Sequence, residues 1–280
     1  MAGDATVKPA PFTLERPATL DEALNLLAEH GDDAKVLAGG QSMVALLNLR
    51  LARPQIVVDI NRLGDLAGSL VEAGVVRVGA LTRQRRLERS PKAVAACTLL
   101  GQALPLVGHV ATRNRGTVGG AIAHGDASSE LCLLLATLGG SAIAERSQGE
   151  REILADDLFV SHLETSLAAD ELVTEVRFPA LDASWRTSFL EVAPRHGDYA
   201  LCAVACAVQV RDETVVGARL GVGAVSDRPV RLHASEAALI AGEPPRAVAE
   251  TARGELEPRD PYRHHLLGVL VERAIAAALA

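Results

Sequence analysis

Residues 34–60 constrain this chain more than any other stretch. A β-rich run, 34–37, passes straight into Ala38-Gly39-Gly40-Gln41-Ser42, then into an amphipathic segment, 43–49. Pro54 interrupts the helical spacing, and a second β-rich run, 55–60, follows. Strand, glycine turn, helix and strand in that order form a small β-α-β arrangement. Upstream, Thr19 and Glu22 have the spacing of a capping box. Leu20, Ala23, Leu24 and Leu27 recur at helical intervals, and Gly31 is a suitable stop, so a helix is predicted between them.

The remainder alternates short β-like and helical runs. Residues 75–80 read as a strand, and Ser90-Pro91 supplies an N-cap and first-turn proline for a helix to about residue 104. A second glycine-rich stretch, T-R-N-R-G-T-V-G-G at 112–120, precedes A-I-A-H-G-D-A-S-S-E and a helix from about 131 to 138. Short β-like runs then continue to Pro179, and 180–184 reads as a domain junction. Two long antiparallel strands, 199–211 and 214–225, are predicted around an Asp212-Glu213 turn. Helices broken by Pro244 and Pro245, and a last helix from about Pro261, complete the chain. Glycines 221 and 223 alternate along a predicted strand, which favours close packing over phosphate binding.

Composition excludes several functions. One Trp, two Tyr and four Phe in 280 residues leave the core to Ala, Val and Leu. A net charge of -7, with 28 scattered basic residues, argues against a nucleic-acid surface. Cys97, Cys132, Cys202 and Cys206 lie in apolar stretches without a C-x-x-C pair, as expected of buried thiols in a reducing cytoplasm. No metal site is expected, and the adjacent His264 and His265 point in different directions on a helix. Residues 1–11 lack the pattern of an export signal. The apolar runs at 201–210 and 274–280 are shorter than the roughly 20 residues a membrane span needs.

Each glycine turn has a chemical reading beside a plain one. Backbone amides at a strand-to-helix turn can converge on an anion, and glycine lets a phosphate approach without a side chain in the way. A simple tight turn would look the same for one glycine pair alone. The second turn, Thr117-Val118-Gly119-Gly120-Ala121, groups hydroxyl and amide donors in the same manner. Two such turns suit a diphosphate clamped between them. Neither contains a Walker lysine or the G-x-G-x-x-G dinucleotide fingerprint.

Three segments carry a resemblance: A-G-G-Q-S at 38–42, N-R-G-T-V-G-G-A-I-A-H-G-D at 114–126 and R-H-G-D-Y-A at 195–200. With the P-x-x-x-V-D-I-N stretch beginning at Pro54, they resemble the medium subunit of carbon monoxide dehydrogenase-type molybdenum hydroxylases, along the whole chain. The resemblance implies an α+β fold. Its first part, 1–179, is an FAD-binding domain of the PCMH (vanillyl-alcohol oxidase and xanthine dehydrogenase) type, with subdomains of about 1–60 and 61–179. A smaller C-terminal domain, 180–280, combines an antiparallel sheet with helices.

The resemblance also implies a binding site. Ala38, Gly39, Gly40, Gln41 and Ser42 form one wall of the FAD diphosphate site, and Thr117, Val118, Gly119, Gly120 and Ala121 the other. Glu130, preceded by Ser129, takes the position of an acid that accepts from ribityl or ribose hydroxyls; an acid in the first turn of a helix is its plain reading. His124 lies near the flavin chain or is an ordinary loop histidine. Leu172 matches an apolar position near the isoalloxazine ring, yet by itself reads as core. Tyr199 matches a tyrosine that covers one ring face. Glu191 stands where some relatives carry lysine, so no cationic influence on the ring is expected.

By the same resemblance, FAD on this chain receives electrons from two [2Fe-2S] clusters of a small subunit, while a large subunit holds the molybdenum cofactor and oxidises substrate. The assembly implied is a dimer of heterotrimers. No catalytic side chain is expected here, since the redox chemistry belongs to the cofactor. A stand-alone flavoenzyme on the same fold, with acid or base groups at the ring, and a nucleotide-binding module without a yellow chromophore are the rival readings.

Overall fold

The computed structural model describes residues 8–258 and 260–280. Most of the N-terminal arm read for an export signal therefore lies outside the described residues.

The β-α-β arrangement forms as the sequence predicts. Strands Thr13–Glu15, Ile56–Asp59 and Ala34–Leu37 make a parallel three-stranded sheet with Ile56–Asp59 in the centre. Helix Leu20–His30 covers it with Ala23, Leu24 and Leu27. Thr19 caps this helix by accepting from the Glu22 amide, and Gly31, at φ +49°, ends it. The Glu22 carboxylate reaches back one residue further than in a standard box, to the Ala18 amide at 2.7 Å.

A five-stranded antiparallel sheet follows, in the order Ser69–Glu72, Val75–Gly79, Leu172–Pro179, Ser141–Arg146, Gly149–Leu154. The helix predicted from Ser90 is broken in two, Pro91–Ala96 and Thr98–Ala103. Cys97 is extended at the break, where the Ala96 carbonyl accepts from the Leu181 amide. A tertiary bond thus replaces a helical one.

Strands Trp185–Val192, Cys202–Arg211, Thr214–Gly223 and Val230–Arg231 form the third sheet, antiparallel throughout. Its central turn has both Asp212 and Glu213 at positive φ, which matches the right-handed twist of the hairpin. Helices His233–Ile240 and Pro261–Leu279 pack on it, and Pro245–Glu255 packs on those two helices. The architecture is α+β.

One helix joins the two antiparallel sheets. After its first residue Glu130–Leu138 is apolar except for Thr137, whose hydroxyl donates to the Leu133 carbonyl, and all of Leu131 to Leu138 is buried. Such a helix has no solvent face to offer and must lie inside. It packs against Leu172–Pro179 on one side and Cys202–Arg211 and Thr214–Gly223 on the other. The approach to the last strand is close, since a Cβ on Gly221 would lie 2.0 Å from Thr137 Oγ1. The packing role read for glycines 221 and 223 matches this contact. Phe178 is the one aromatic among the largest fully buried side chains, the rest being Leu and Ile.

Candidate functional site

A cleft of about 630 Å³ opens beside the parallel sheet, within the size range of small-molecule sites. Both glycine turns line it. Strand Ala34–Leu37 delivers the first turn, which ends where helix Met43–Asn48 begins. Ala38, Gly39, Gly40, Gln41 and Ser42 all face the cleft. The amides of Gly39, Gly40, Gln41 and Ser42 find no acceptor among the described residues, nor does the Ser42 hydroxyl find a partner. Open donors are usual where a helix begins, and four in a row at a turn that lines one cleft can converge on an acceptor from outside. Gln41 steadies the turn by donating from Nε2 to the Gly39 carbonyl at 3.2 Å.

The second turn is organised differently from the sequence expectation. Thr117 caps helix Val118–His124, its Oγ1 accepting from the Gly120 amide at 3.1 Å. The Val118 amide donates to the Thr82 carbonyl, that of Gly119 to Ala80 and that of Ala121 to Thr117. Val118 and Gly119 are buried and stand outside the cleft wall. Gly119 is pressed so closely to Ala80 that a Cβ would lie 2.4 Å from the alanine's own. Thr117, Gly120 and Ala121 do line the cleft, and the Thr117 amide is without an acceptor among the described residues. The first turn is therefore the donor cradle, and the second is a smooth wall adding one amide.

The two turns touch. A Cβ on Gly39 would come within 2.6 Å of the Arg115 carbonyl oxygen and 2.8 Å of Gly116 Cα. The loop before helix Val110–Arg115 adds Val107 and Gly108 to the wall, and it is fixed by the buried Arg113. Its guanidinium donates to both of their carbonyls, at 3.0 and 3.1 Å, and to Glu88 Oε2 at 2.8 Å.

An acidic part of the wall comes from the start of helix Glu130–Leu138. His124, Asp126, Ser129 and Glu130 line the cleft here. Ser129 caps the helix toward the Cys132 amide. Glu130 stands at the start of a helix whose remaining residues are all buried, and burial pushes its carboxyl up to about 8, with Glu191 and Asp126 adding to the effect. Burial also lifts Glu191 to about 7, and its Oε2 is buried without a partner. His124 is held below the ordinary imidazole value by burial. Glu130 is thus a first-turn acid that also lines the cleft.

Tyr199, a residue 69% exposed, reaches the cleft from the loop after strand Trp185–Val192. Leu172 does not reach it. As the first residue of strand Leu172–Pro179 it is 4% exposed and packs with the core of the parallel sheet, beside Leu24 and Leu81. The register of the five-stranded sheet turns it inward.

Sequence reasoning missed other wall residues. Asp126, Gly197 and Asp198 sit inside the segments 114–126 and 195–200, which are the sequence signal for them. Lys35 and Gln84 carry no local signal. Gln84 is 5% exposed, with its Oε1 unpartnered, and it faces the cleft only because its backbone amide pairs with the Gly116 carbonyl.

The donor set suits FAD. The amides of the first turn match a diphosphate, the acids and hydroxyls near Glu130 match sugar hydroxyls, and the cleft volume suits a nucleotide. No other redox group is indicated by the thiols. Cys97 and Cys132 lie in one core, Cys202 and Cys206 in another, and burial pushes them up to about 11 to 12.

Comparison with known proteins agrees with this geometry. Residues 10–181 match the family described as FAD binding domain in molybdopterin dehydrogenase, and residues 187–278 the CO dehydrogenase flavoprotein C-terminal domain. The 6-hydroxypseudooxynicotine dehydrogenase complex subunit alpha of Paenarthrobacter nicotinovorans is 36% identical over 98% of this chain and 96% of its own. Caffeine dehydrogenase subunit beta of Pseudomonas sp. (strain CBB1) is 36% identical over 84% and 80%. The solved carbon monoxide dehydrogenase of Hydrogenophaga pseudoflava, in a form lacking the Mo-pyranopterin moiety, contains a chain that superposes with a TM-score of 0.92. That chain is 33% identical, with 96% of this chain and 98% of that one covered.

Proposed function

We infer, because this chain belongs to the family of FAD-binding medium subunits of molybdenum hydroxylases, that it is the electron-transfer subunit of such an assembly. It holds FAD as the redox station between two [2Fe-2S] clusters on a small partner subunit and an external acceptor. A large partner subunit carries the molybdenum cofactor and oxidises the substrate, and the assembly is a dimer of heterotrimers. Buried, unreactive thiols suit a reducing compartment such as the cytoplasm. Among the described residues no helix is long and apolar enough to cross a membrane.

The carrying observation is the row of four unmet amides, Gly39 to Ser42, facing the same cleft as the Thr117 amide. When bound, FAD supplies the exchange of electrons. The chain's residues do the rest. The first turn neutralises the diphosphate with backbone dipoles, and Glu130, neutral below about pH 8, is able both to donate to and to accept from a sugar hydroxyl. Gly120 and Ala121 keep the opposite wall free of bulk. The spread of the relatives also supports the reading. Subunits named for a pseudooxynicotine, for caffeine and for carbon monoxide are about equally similar to this chain, as expected if substrate choice lies on another polypeptide.

The test is purification of the assembly with its metal content determined. Molybdenum, iron in the ratio that two [2Fe-2S] clusters per flavin require, and substrate-dependent bleaching of the flavin only in the full assembly are expected. Substrate turnover by the flavin-loaded chain alone would overturn the assignment.

A further inference from the structure

The two glycine turns come from distant parts of the chain, and something has to set their spacing. Gly39 resting on Arg115 limits how near they come but does not hold them together. The tie lies behind the cleft. Residues 82 to 84 run beside the second turn, with the Thr82 carbonyl accepting from the Val118 amide and the Gln84 amide donating to the Gly116 carbonyl. Arg83, between them, pairs with Thr117 through its backbone and is absent from the cleft wall.

The Arg83 side chain folds back across both turns. Nη1 donates to the Arg115 carbonyl at 2.5 Å, the same oxygen that Gly39 abuts. Nη2 donates to Asn61 Oδ1 at 2.7 Å. Asn61 in turn donates from Nδ2 to the Ala38 carbonyl at 2.8 Å, at the entry to the first turn, and to Asp59 Oδ1 at 2.6 Å. A continuous chain of hydrogen bonds thus runs from the second turn through one guanidinium and one carboxamide to the first.

We propose that Arg83, acting through Asn61, is a positioning residue for flavin binding that fixes the distance between the two glycine turns without touching the ligand. The inference rests on the reading that these turns hold the FAD diphosphate. The geometry calls for arginine, because a planar fork serves two acceptors in fixed directions while an ammonium on a flexible stem does not.

The experiment uses the full chain stripped of flavin. FAD affinity is read from quenching of flavin fluorescence, fold stability from thermal melting, and turn order from hydrogen exchange of the Val44 and Gln84 amides, which donate to Gly40 and Gly116. Arg83→Ala, and separately the exposed Asn61→Ala, each weaken FAD binding about tenfold, as expected for bonds to a charged donor. The double variant binds no worse than the weaker single, since one chain is broken twice. Exchange at Val44 and Gln84 quickens in both single variants even without FAD.

Arg83→Lys keeps the charge and not the fork, so it remains weak. Wild-type affinity in Arg83→Lys would mean that charge alone matters and would overturn the proposal, as would unchanged exchange at both amides in Asn61→Ala. Gly39→Ala separates the two levels of inference. If it too leaves FAD affinity intact, the diphosphate site itself is misplaced. If it abolishes binding while Arg83→Ala and Asn61→Ala do not weaken it, only the positioning role fails.

Discussion

Gly39 lies against the carbonyl oxygen of Arg115 so closely that any side chain at 39 would overlap the backbone of the second turn. The obstacle is main chain on both sides and has no rotamer through which to yield. Gly39→Ala therefore has to separate the two turns. Overpacking of this kind costs about 1–3 kcal/mol, and here the displacement falls on the amides left open for a ligand. The variant is expected to fold with a lowered denaturation midpoint and to lose most of its FAD affinity. Titration of the flavin-free chain with FAD checks both, and undiminished affinity would count against the diphosphate site.

Leu172 gives the opposite test. Its burial beside Leu24 and Leu81 makes Leu172→Ala a core truncation, expected to cost about 2–5 kcal/mol of stability. Because the side chain stands outside the cleft wall, the flavin spectrum and FAD affinity of the folded fraction should be unchanged. Chemical denaturation and the visible spectrum, measured on the same sample, distinguish this from a ring contact, which would shift the spectrum.

What could be read from the sequence follows from how local each feature is. Thr19, Gly31 and Ser90 act within a few residues, and the structure places the corresponding caps as expected. The assignment of the second turn as a nest of donors fails for a tertiary reason, because the amides of Val118 and Gly119 are taken by Thr82 and Ala80, far away in the chain. Glycine is needed at 119 for contact with Ala80, just past strand Val75–Gly79, which leaves the same letter in the sequence as contact with a phosphate. The break at Cys97 is likewise invisible, since it depends on the Leu181 amide. Lys35 and Gln84 enter the cleft wall through sheet register and one backbone pairing that no local pattern encodes.

The acidic wall predicts how stability varies with pH. Glu130 and Glu191 are raised by burial from an ordinary 4.5 to about 8 and about 7. Between those limits the folded chain holds protons that the unfolded chain has released, so stability is greatest at low pH within the window and falls as pH rises, levelling above about 8. The slope cannot exceed about 1.4 kcal/mol per pH unit for each such proton. Glu130→Gln, which keeps the shape and cannot ionise, should flatten the fall in the flavin-free chain. Urea unfolding from about pH 5 to about pH 9 measures it. An equal slope in variant and parent would show that Glu130 ionises normally.

Tyr199 offers its ring to the cleft from an exposed position, on a loop held by the Arg195–Asp198 ion pair at 2.9 Å and by packing of Gly197 on His109. So open a ring contributes little to folding, and Tyr199→Ala should leave the stability of the flavin-free chain within about 0.5 kcal/mol. If the ring covers the flavin, the same change removes an aromatic contact of about 0.5–1.5 kcal/mol and weakens FAD binding by about twofold to twelvefold. Tyr199→Phe then retains the affinity, because the face and not the hydroxyl makes the contact. Fluorescence titration of the three proteins is decisive: parent-like affinity in the alanine variant would leave Tyr199 as surface, and loss in both variants would transfer the role to the hydroxyl.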